Sequence, residues 1–451
     1  MFLASSSACT IVVGEGTPVN AELEQLVEGP VTGLVGLSDF RLFVSEQSAI
    51  TELDLIEDSH ELGTGPAIKD ATDWSEDRVL LLSEENLLVW DGVLRPSPLE
   101  EMVPGAGMSA IELMSDRLWM AGDSGLRVWF DGVLSTINLD EQSARAPLLA
   151  SRIGSRDVLW VAVDSGLVAL VTSVSGYGIL EWQSMEPPVG LAVDADGVVW
   201  AASGGNLHRR DTQGEWLVYS FPKPVTGVVG SSNSRRVWIN TEEAVHSVVG
   251  EEFFTVSGVP EGSVDWHVDD VGRLVLRSGD SLQRASIERP IALRGLPQGN
   301  LLFATTELLI APTQSEMVSE VSGTLAGTEL VVEQRDNYWR TVMEPAQLEA
   351  GEFDLEISVD YGGEVTTTTW TMIISNPTWS EDIQPLYRTY CSACHSGETG
   401  TAILEAPEAW EKAFDNIVAR IDRNNMPLGS EKLSDLQKGT IRAWGAKGFP
   451  R

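Results

Sequence analysis

The 451-residue sequence has only 3 cysteines, Cys391 and Cys394 near its C-terminus and Cys9 near its start. No disulfide framework can therefore support a chain of this length. Long hydrophobic runs are also lacking, because no apolar stretch reaches the ~18 residues of a membrane-spanning helix. Since 43 % of the residues are nevertheless hydrophobic, we expect a globular protein with two to four domains.

Basic residues are scarce. The chain has 30 Lys and Arg against 67 Asp and Glu, a formal net charge of −37. From Thr378 onward the signs nearly balance, with nine basic and ten acidic residues, so 21 basic and 57 acidic residues precede it. Such a surface repels phosphate backbones and anionic bilayers, which excludes nucleic acid as a partner.

Cys9 follows an apolar start rich in small residues, MFLASSSAC. This start resembles the end of a bacterial lipoprotein signal, in which the Cys becomes acylated. It lacks a basic region, its apolar part is short, and Ser6 stands where Leu is usual; a truncated start would explain all three differences. Two alternatives stay open: a lipid-anchored Cys9, or an ordinary Cys in an N-terminal signal remnant and linker over residues 1–29.

A repeat of about 40 residues runs through most of the chain. Seven copies of a short apolar strand, among them RLWMAG, VLWVAV and VVWAAS, align with successive gaps of 37, 39, 41, 40, 38 and 37 residues. The residues at the equivalent position are Phe43, Leu80, Trp119, Trp160, Trp200, Trp238 and Val275. Turns rich in Gly, Asp and Asn separate these strands from the next ones, as in antiparallel meanders. Residues 30–311 are therefore predicted to form a seven-bladed all-β propeller.

The copy DADGVVWAASGGNLHRRD, from Asp194 to Asp211, resembles the propeller repeats of bacterial two-component regulator sensors. Their pattern is Asp-x-x-Gly-x-Leu-Trp-Val-Gly-Thr followed by Gly-Leu. The resemblance implies the repeat architecture alone and carries no catalytic residue to this chain.

The pattern changes after Pro312. Residues 312–376 alternate apolar and polar side chains with period two, which predicts a small β-sandwich similar to an immunoglobulin or fibronectin module, with Trp339 and Trp370 in its core. From residue 377 the period becomes helical. Three helices are predicted, and we expect them to form a compact all-α domain. The first leads into Cys391, the second has Trp410, Phe414, Ile417 and Ile421 on its apolar stripe, and the third begins after Ser434 and carries Leu436, Ile441 and Trp444.

The stretch TYCSACHSGETG places Cys391, Cys394 and His395 in the spacing Cys-x-x-Cys-His. Covalent haem attachment needs two thiols about one helical turn apart and an imidazole directly after them. A redox dithiol would need a βαβ context, which the sequence lacks. A zinc site would need further ligands, and no Cys or His follows His395. The spacing therefore favours covalent attachment of one haem c, with His395 as an iron ligand.

Met426 is the one Met after His395 and stands in a loop, RIDRNNMPLGS. Its thioether is a soft ligand that suits electron transfer, so we expect it to be the second axial ligand. Residues 377–451 resemble a class I c-type cytochrome domain in the leading helix, the Cys-x-x-Cys-His motif, the distal NNMP and the last helix. The resemblance implies Cys391 and Cys394 as thioether anchors, and a contact of Tyr387 or Tyr390 with Trp444.

Two functions follow from this combination. In the first, the protein is an electron carrier that works with redox partner proteins, and its propeller is a docking or binding scaffold. In the second, the propeller holds a substrate site and the cytochrome domain removes the electrons. The first is favoured because His60, His208, His246 and His267 are scattered over the propeller copies. Because bacteria attach haem c outside the cytoplasmic membrane, we expect a periplasmic or lipid-anchored protein.

Overall fold

The structure is a computed structural model. It describes residues 10–13, 17–28, 31–37, 41–46, 49–56, 60–75, 78–99, 107–114, 117–123, 125–139, 142–153, 156–173, 176–260, 262–297, 300–335, 337–345, 348, 350–396, 403–422, 426–427 and 432–451. Two compact units divide the chain, one of residues 1–171 and 177–290 and the other of residues 172–176 and 291–451. The described part contains no helix long and apolar enough to cross a membrane.

The first unit consists of seven small sheets, numbered here in chain order. Sheets 1 to 4 have four strands each, given from the first strand outward: Val31–Gly36, Arg41–Glu46, Ala49–Asp54, His60–Thr64; Ile68–Ser75, Arg78–Ser83, Leu87–Trp90, Leu94–Pro96; Met108–Met114, Arg117–Gly122, Gly125–Phe130, Val133–Ile137; and Ala144–Ile153, Arg156–Val163, Gly166–Ser173, Gly176–Ser184. Each sheet is a simple up-and-down meander, as the turn pattern of the sequence predicts.

Sheets 5 to 7 also take up strands from the N-terminal part of the chain, which stand last in each group: Gly190–Val193, Val199–Ser203, Asn206–Arg210, Trp216–Ser220, Thr10–Val12; Val225–Gly230, Arg236–Thr241, Val245–Val249, Glu252–Ser257, Thr17–Asn20; and Val264–Val268, Leu274–Ser278, Ser281–Ser286, Glu22–Glu28. Thr10–Val12 and Thr17–Asn20 pair in parallel, and Glu22–Glu28 pairs antiparallel. The expected linker over residues 1–29 is thus wrong for the described residues 10–13 and 17–28, because these strands pair with the outer edges of three sheets.

The first strands of the seven sheets contact one another in ring order, and the first strand of sheet 7 contacts that of sheet 1. The ring is therefore closed, and the unit has a propeller-like all-β fold. The aligned repeat residues all lie on the second strand of their sheets and are at most 1 % exposed: Phe43, Leu80, Trp119, Trp160, Trp200, Trp238 and Val275. They fill the space between neighbouring sheets, as a repeat that cannot bury its faces alone requires.

The turn before Trp200 shows how the repeat is encoded locally. One Asp194 carboxylate oxygen accepts hydrogen bonds from the Asp196 and Val198 backbone N–H groups, both at 3.0 Å. The other accepts the Trp200 indole N–H at 3.0 Å. Gly197 closes the turn at φ 76°, which favours glycine. The Asp-x-x-Gly signature thus fixes both the turn and the buried Trp.

The second unit begins at Ile291 rather than after the predicted boundary at residue 311. Its two sheets are Ile291–Arg294, Thr306–Pro312, Tyr338–Met343, Val332–Arg335 (sheet 8) and Leu301–Leu302, Val365–Ile374, Gly351–Asp360, Glu320–Leu325, Thr328–Glu329 (sheet 9). They share one core, to which Trp339 belongs and against which Trp370 packs. Strands that the repeat spacing assigned to the propeller are therefore part of a two-sheet sandwich.

The end of the chain is helical, as predicted. A first helical segment is made of Trp379–Ile383, Gln384–Leu386, Tyr387–Cys391 and Ser392–His395, and Pro407–Asp422 and Asp435–Ala446 form the second and third helices; a short 3₁₀ turn, Ser315–Met317, lies in the sandwich. These helices do not separate from the sandwich as an independent all-α domain, because the third helix contacts strand Leu301–Leu302.

Candidate functional site

The Cys-x-x-Cys-His motif lies at the C-terminal end of the first helical segment. Thr378, just after Pro377, caps the segment, since its hydroxyl oxygen accepts the Glu381 backbone N–H at 3.2 Å. Thr378 is therefore the N-cap of the segment. Tyr387–Cys391 forms a wider π-type turn directly before the motif. Such turns change the direction of following side chains and are frequent at functional sites.

The two cysteines lie in different surroundings. Cys391 is half-buried and packs against the apolar cluster of the helices, whereas Cys394 is exposed. Burial, and secondarily the neighbouring Cys394, raises the pKa of Cys391 to about 11. Its thiol therefore keeps its proton at neutral pH. A reactive redox dithiol needs a lowered pKa, so this environment disfavours the thioredoxin-like alternative.

His395 is the last residue of the helical segment and is half-buried. Its carbonyl oxygen accepts the Leu404 backbone N–H at 3.0 Å and the Tyr387 hydroxyl at 3.4 Å. The second contact spans two helical turns, and the first joins the residue to the chain that enters the second helix. The backbone of His395 is thus fixed from two sides.

Met426 lies beyond the second helix and is also half-buried. Its backbone N–H donates to the Arg420 carbonyl at 3.3 Å. Its side chain packs against the same apolar cluster as Cys391 and Tyr390. The structure therefore brings the expected distal ligand and one expected haem anchor to a common core.

Aromatic rings form most of that core. Trp379, Trp410 and Trp444 pair with one another at centroid distances of 5.7 to 6.4 Å, and Tyr387 meets Trp410 at 6.5 Å. The ring of the first helical segment that contacts Trp444 is thus Trp379, rather than Tyr387 or Tyr390 as expected. The reason is that the segment begins at Trp379. The Trp379 backbone N–H and the Trp444 indole N–H both donate to the Pro450 carbonyl, which holds the two residues together.

These residues fit a covalently held haem in the chemistry of their donors. Two thiols, an imidazole and a thioether are the groups that attach and ligate haem c. The half-buried Cys391 thiol packs against the apolar cluster of the helices, an apolar surrounding that suits a porphyrin. Among the described residues no group of three or more His, Cys, Asp or Glu could hold a metal ion. Cys9, the expected lipidation site, lies outside the described residues.

Sequence reasoning missed Gln437 and Lys432. The Gln437 side chain completes a capping box with Ser434, accepting its backbone N–H at 2.8 Å, and also donates to the Tyr390 hydroxyl at 3.3 Å. The Ser-x-x-Gln spacing signals the cap but not the link to Tyr390. Lys432 is only 8 % exposed, which its sequence context does not indicate.

The propeller-like unit holds a second group of unusual side chains on its first strands. Asp70 accepts the Ile111 backbone N–H at 2.8 Å, so it links sheet 2 to sheet 3. Glu112 accepts from the Ala150 backbone N–H and links sheet 3 to sheet 4. Although part of each side chain stays accessible, burial raises the pKa of Asp70 to about 7 and that of Glu112 to about 8. Burial also lowers the pKa of His267 to about 4.

No protein-family model matches the chain. No curated protein matches it. Among solved structures the chain is similar to the extracellular domain of a hybrid two-component system of B. thetaiotaomicron, at 11 % identity and TM-score 0.48, over 80 % of this chain and 60 % of that one. It is also similar to PorZ, a surface component of the type-IX secretion system of Porphyromonas gingivalis, at 12 % identity and TM-score 0.44, over 77 % and 60 %.

A third similar structure is YCF48 bound to D1 peptide, at 14 % identity and TM-score 0.43, over 62 % of this chain and 99 % of that one. The chain thus spans about 60 % of the length of the first two structures. At these scores the likenesses carry no argument about function. The propeller-like fold follows instead from the order of the sheets and the closed ring of first strands.

Proposed function

We propose that this protein is a monohaem c-type cytochrome that transfers single electrons. Cys391 and Cys394 would hold the haem through thioether bonds, and His395 and Met426 would ligate its iron. One observation carries the proposal: Cys391 and Met426, distant in sequence, pack against the same apolar cluster beside the end of the helix that bears His395. When bound, the haem supplies an iron that cycles between two oxidation states one electron apart.

The protein groups have distinct roles in this proposal. The half-buried Cys391 and the exposed Cys394 would hold the group through their two thiols. The fixed backbone of His395 orients the imidazole that follows the second thiol. Met426 contributes a thioether that stabilises the reduced iron and so raises the potential. The aromatic cluster excludes water, which limits the reorganisation that an electron transfer requires.

The other parts are assigned supporting roles. The seven sheets would form a seven-bladed propeller of the regulator-sensor type that docks or binds partners, and the sandwich would be an immunoglobulin-like spacer. The formal charge of −37, concentrated before residue 378, would steer redox partner proteins with basic surfaces toward the molecule. Because haem c is attached outside the cytoplasmic membrane, the protein would be periplasmic, or anchored to a membrane through an acylated Cys9.

Expression of the full chain in a host that attaches haem c tests the proposal. The purified protein should carry one haem that stays with the polypeptide through denaturing electrophoresis and acidic acetone. The double substitution Cys391→Ala, Cys394→Ala should abolish this retained haem. Cys9→Ala is the matched control and should leave it unchanged. A wild-type chain without retained haem would overturn the proposal.

The carboxyl pair of the propeller-like unit favours a second candidate function. Asp70 and Glu112, with pKa values near neutrality, have the property that proton-transferring groups need. In that case the propeller would oxidise a substrate and the haem would accept its electrons. An Asp70→Asn change that slows haem reduction by a small organic reductant, but not by dithionite, would support this function over simple electron carriage.

A further inference from the structure

The Met426–Pro427 dipeptide is held at both ends by hydrogen bonds. The Met426 backbone N–H donates to the Arg420 carbonyl at 3.3 Å, near the end of the second helix. The Pro427 carbonyl accepts a hydrogen bond from the Lys432 side-chain Nζ at 3.1 Å. The two bonds tie the dipeptide to the chain on either side of it.

Lys432 is unusual because it is only 8 % exposed. Lysine is almost never buried without hydrogen-bond partners, since removing an ammonium group from water costs several kcal/mol. The next two residues fix its place: Leu433 is buried in the apolar cluster, and Ser434 caps the third helix. Because Leu433 and Ser434 fix the backbone next to Lys432, its ammonium group is held within hydrogen-bond distance of the Pro427 carbonyl.

We propose that Lys432 is a positioning residue for Met426, acting through the Pro427 carbonyl. The proposal rests on the function proposed above, in which Met426 ligates the haem iron. Proline has no N–H, so the dipeptide has only one backbone donor and two carbonyl acceptors. Lys432 binds one of those acceptors. Without this donor, one of the two hydrogen bonds that the described residues form with the dipeptide is lost, and the thioether loses a fixed position.

Lys432→Met and Lys432→Arg separate the hydrogen bond from the volume of the side chain. Methionine keeps an unbranched stem of similar length but cannot donate a hydrogen bond. Arginine keeps both charge and donors. In the full chain with its haem, Lys432→Met should weaken the long-wavelength absorption band of Met-ligated ferric haem. Its affinity for added imidazole should rise about tenfold, while that of Lys432→Arg should stay within twofold of the parent.

The reduction potential gives an independent measurement. A loosened thioether stabilises the reduced iron less, so the ratio of reduced to oxidised haem at fixed potential should fall about tenfold in Lys432→Met. For a one-electron couple this equals a shift of about 59 mV to lower potential. A shift in Lys432→Met of less than a third of this size would contradict the proposal.

A double-substitution cycle shows whether Lys432 acts through Met426. Met426→Ala alone should produce the largest gain in imidazole affinity. Adding Lys432→Met to Met426→Ala should change that affinity less than twofold, because the ligand that Lys432 positions is already absent. A further tenfold gain in the double variant would overturn the positioning role.

A measurement without haem keeps this inference distinct from the proposed function. In the haem-free chain, hydrogen peroxide transfers one oxygen atom to a methionine thioether, giving the sulfoxide and water. Peptide mapping can follow Met426 against Met343, which is 0 % exposed. Lys432→Met should speed oxidation of Met426 several-fold relative to Met343. Equal relative oxidation rates in the parent and the variant would refute the positioning role of Lys432. A chain without haem would refute only the proposed cytochrome function.

Discussion

Asp70 and Glu112 show how single carboxyl groups can couple the ring of sheets to pH. Each accepts a backbone N–H from the first strand of the next sheet. Each is also poorly hydrated, and the charge of Asp70 adds to the raised pKa of Glu112, as does that of Asp73 to a smaller extent. In the folded state these groups therefore hold their protons to a much higher pH than in the unfolded chain.

The propeller-like unit should accordingly lose stability as pH rises from about 4 to about 8. Folded pKa values of about 7 and about 8 exceed the unfolded values of 3.8 and 4.5, so the folded state binds more protons in this window. The stabilisation is complete below the unfolded values and is lost as pH rises through the folded ones. Urea unfolding followed by tryptophan fluorescence at several pH values measures it.

Asp70→Asn should flatten that pH dependence, because the amide cannot ionise but keeps an oxygen to accept the Ile111 N–H. Asp196→Asn is the matched control, since Asp196 is exposed and forms a surface ion pair with Arg235 at 3.1 Å. It should leave the slope unchanged. Identical slopes in the parent and in Asp70→Asn would show that Asp70 does not hold its proton.

Some of these residues can be found in the sequence and others cannot. Cys391, Cys394 and His395 are adjacent, so their chemistry is encoded in a spacing of five positions. Asp70 and Glu112 are two among 67 acidic residues, and only the closed ring brings their strands together. The burial of Lys432 likewise depends on tertiary contacts such as that with Pro427, which no local sequence pattern reports.

The second and third helices cross at a point where only glycine fits. A Cβ atom added to Gly445 would lie 2.1 Å from the Phe414 ring. That ring cannot easily retreat, because it packs edge-on against Phe449 at 5.2 Å and against Trp444 at 6.4 Å. The small residue thus sets the approach of the helix that follows the Met426 loop.

Gly445→Ala should therefore destabilise the helices by about 1–3 kcal/mol, the usual cost of overpacking a core. The higher intrinsic helix propensity of alanine opposes this effect but is smaller. Thermal unfolding followed by circular dichroism at helical wavelengths measures the change. Combining Gly445→Ala with Phe414→Leu should recover part of the loss, because the smaller side chain vacates the site of the clash. Strictly additive losses would contradict a contact between the two positions.

The helical periodicity of the sequence correctly predicts much of the helical part of the chain. It predicts the second and third helices, the Ser434 cap and the stripe of Trp410, Phe414, Ile417 and Ile421 in the apolar cluster. Leu436 lies on the third helix, as predicted, but is 42 % exposed. Leu436 precedes Ile441 by five residues, a spacing that does not share the i, i+3, i+4 face of a helix.

The whole first unit depends on one strand from the start of the chain. Glu22–Glu28 supplies the fourth strand of sheet 7, and its side chains are tied to that region by charge. Glu24 accepts two hydrogen bonds from Arg284, at 3.0 and 2.6 Å, and Glu22 pairs with Arg289 at 3.2 Å. The repeat signal could not reveal this strand, because it lies outside the seven aligned copies.

Removal of residues 1–28 should lower the melting temperature of the first unit by about 10 °C or more, equivalent to roughly 6 kcal/mol for a unit of nearly 300 residues. Removal of residues 1–21 is the control. Among the described strands it removes the added outer strands of sheets 5 and 6 and leaves Glu22–Glu28 in place, so it should cost a few degrees. Differential scanning calorimetry of both truncated chains tests the comparison. Equal melting temperatures would mean that the strand does not hold the ring closed.

The pairing of Glu24 with Arg284 joins residues 260 positions apart. A ribosome therefore synthesises the closing strand long before the strand with which it pairs in the folded unit. Such distant closure is slow, because a large loop must be ordered before its contacts form. A chain that has to be translocated before it folds can use that delay. The last step of its folding requires both ends of the first unit to be in the same compartment.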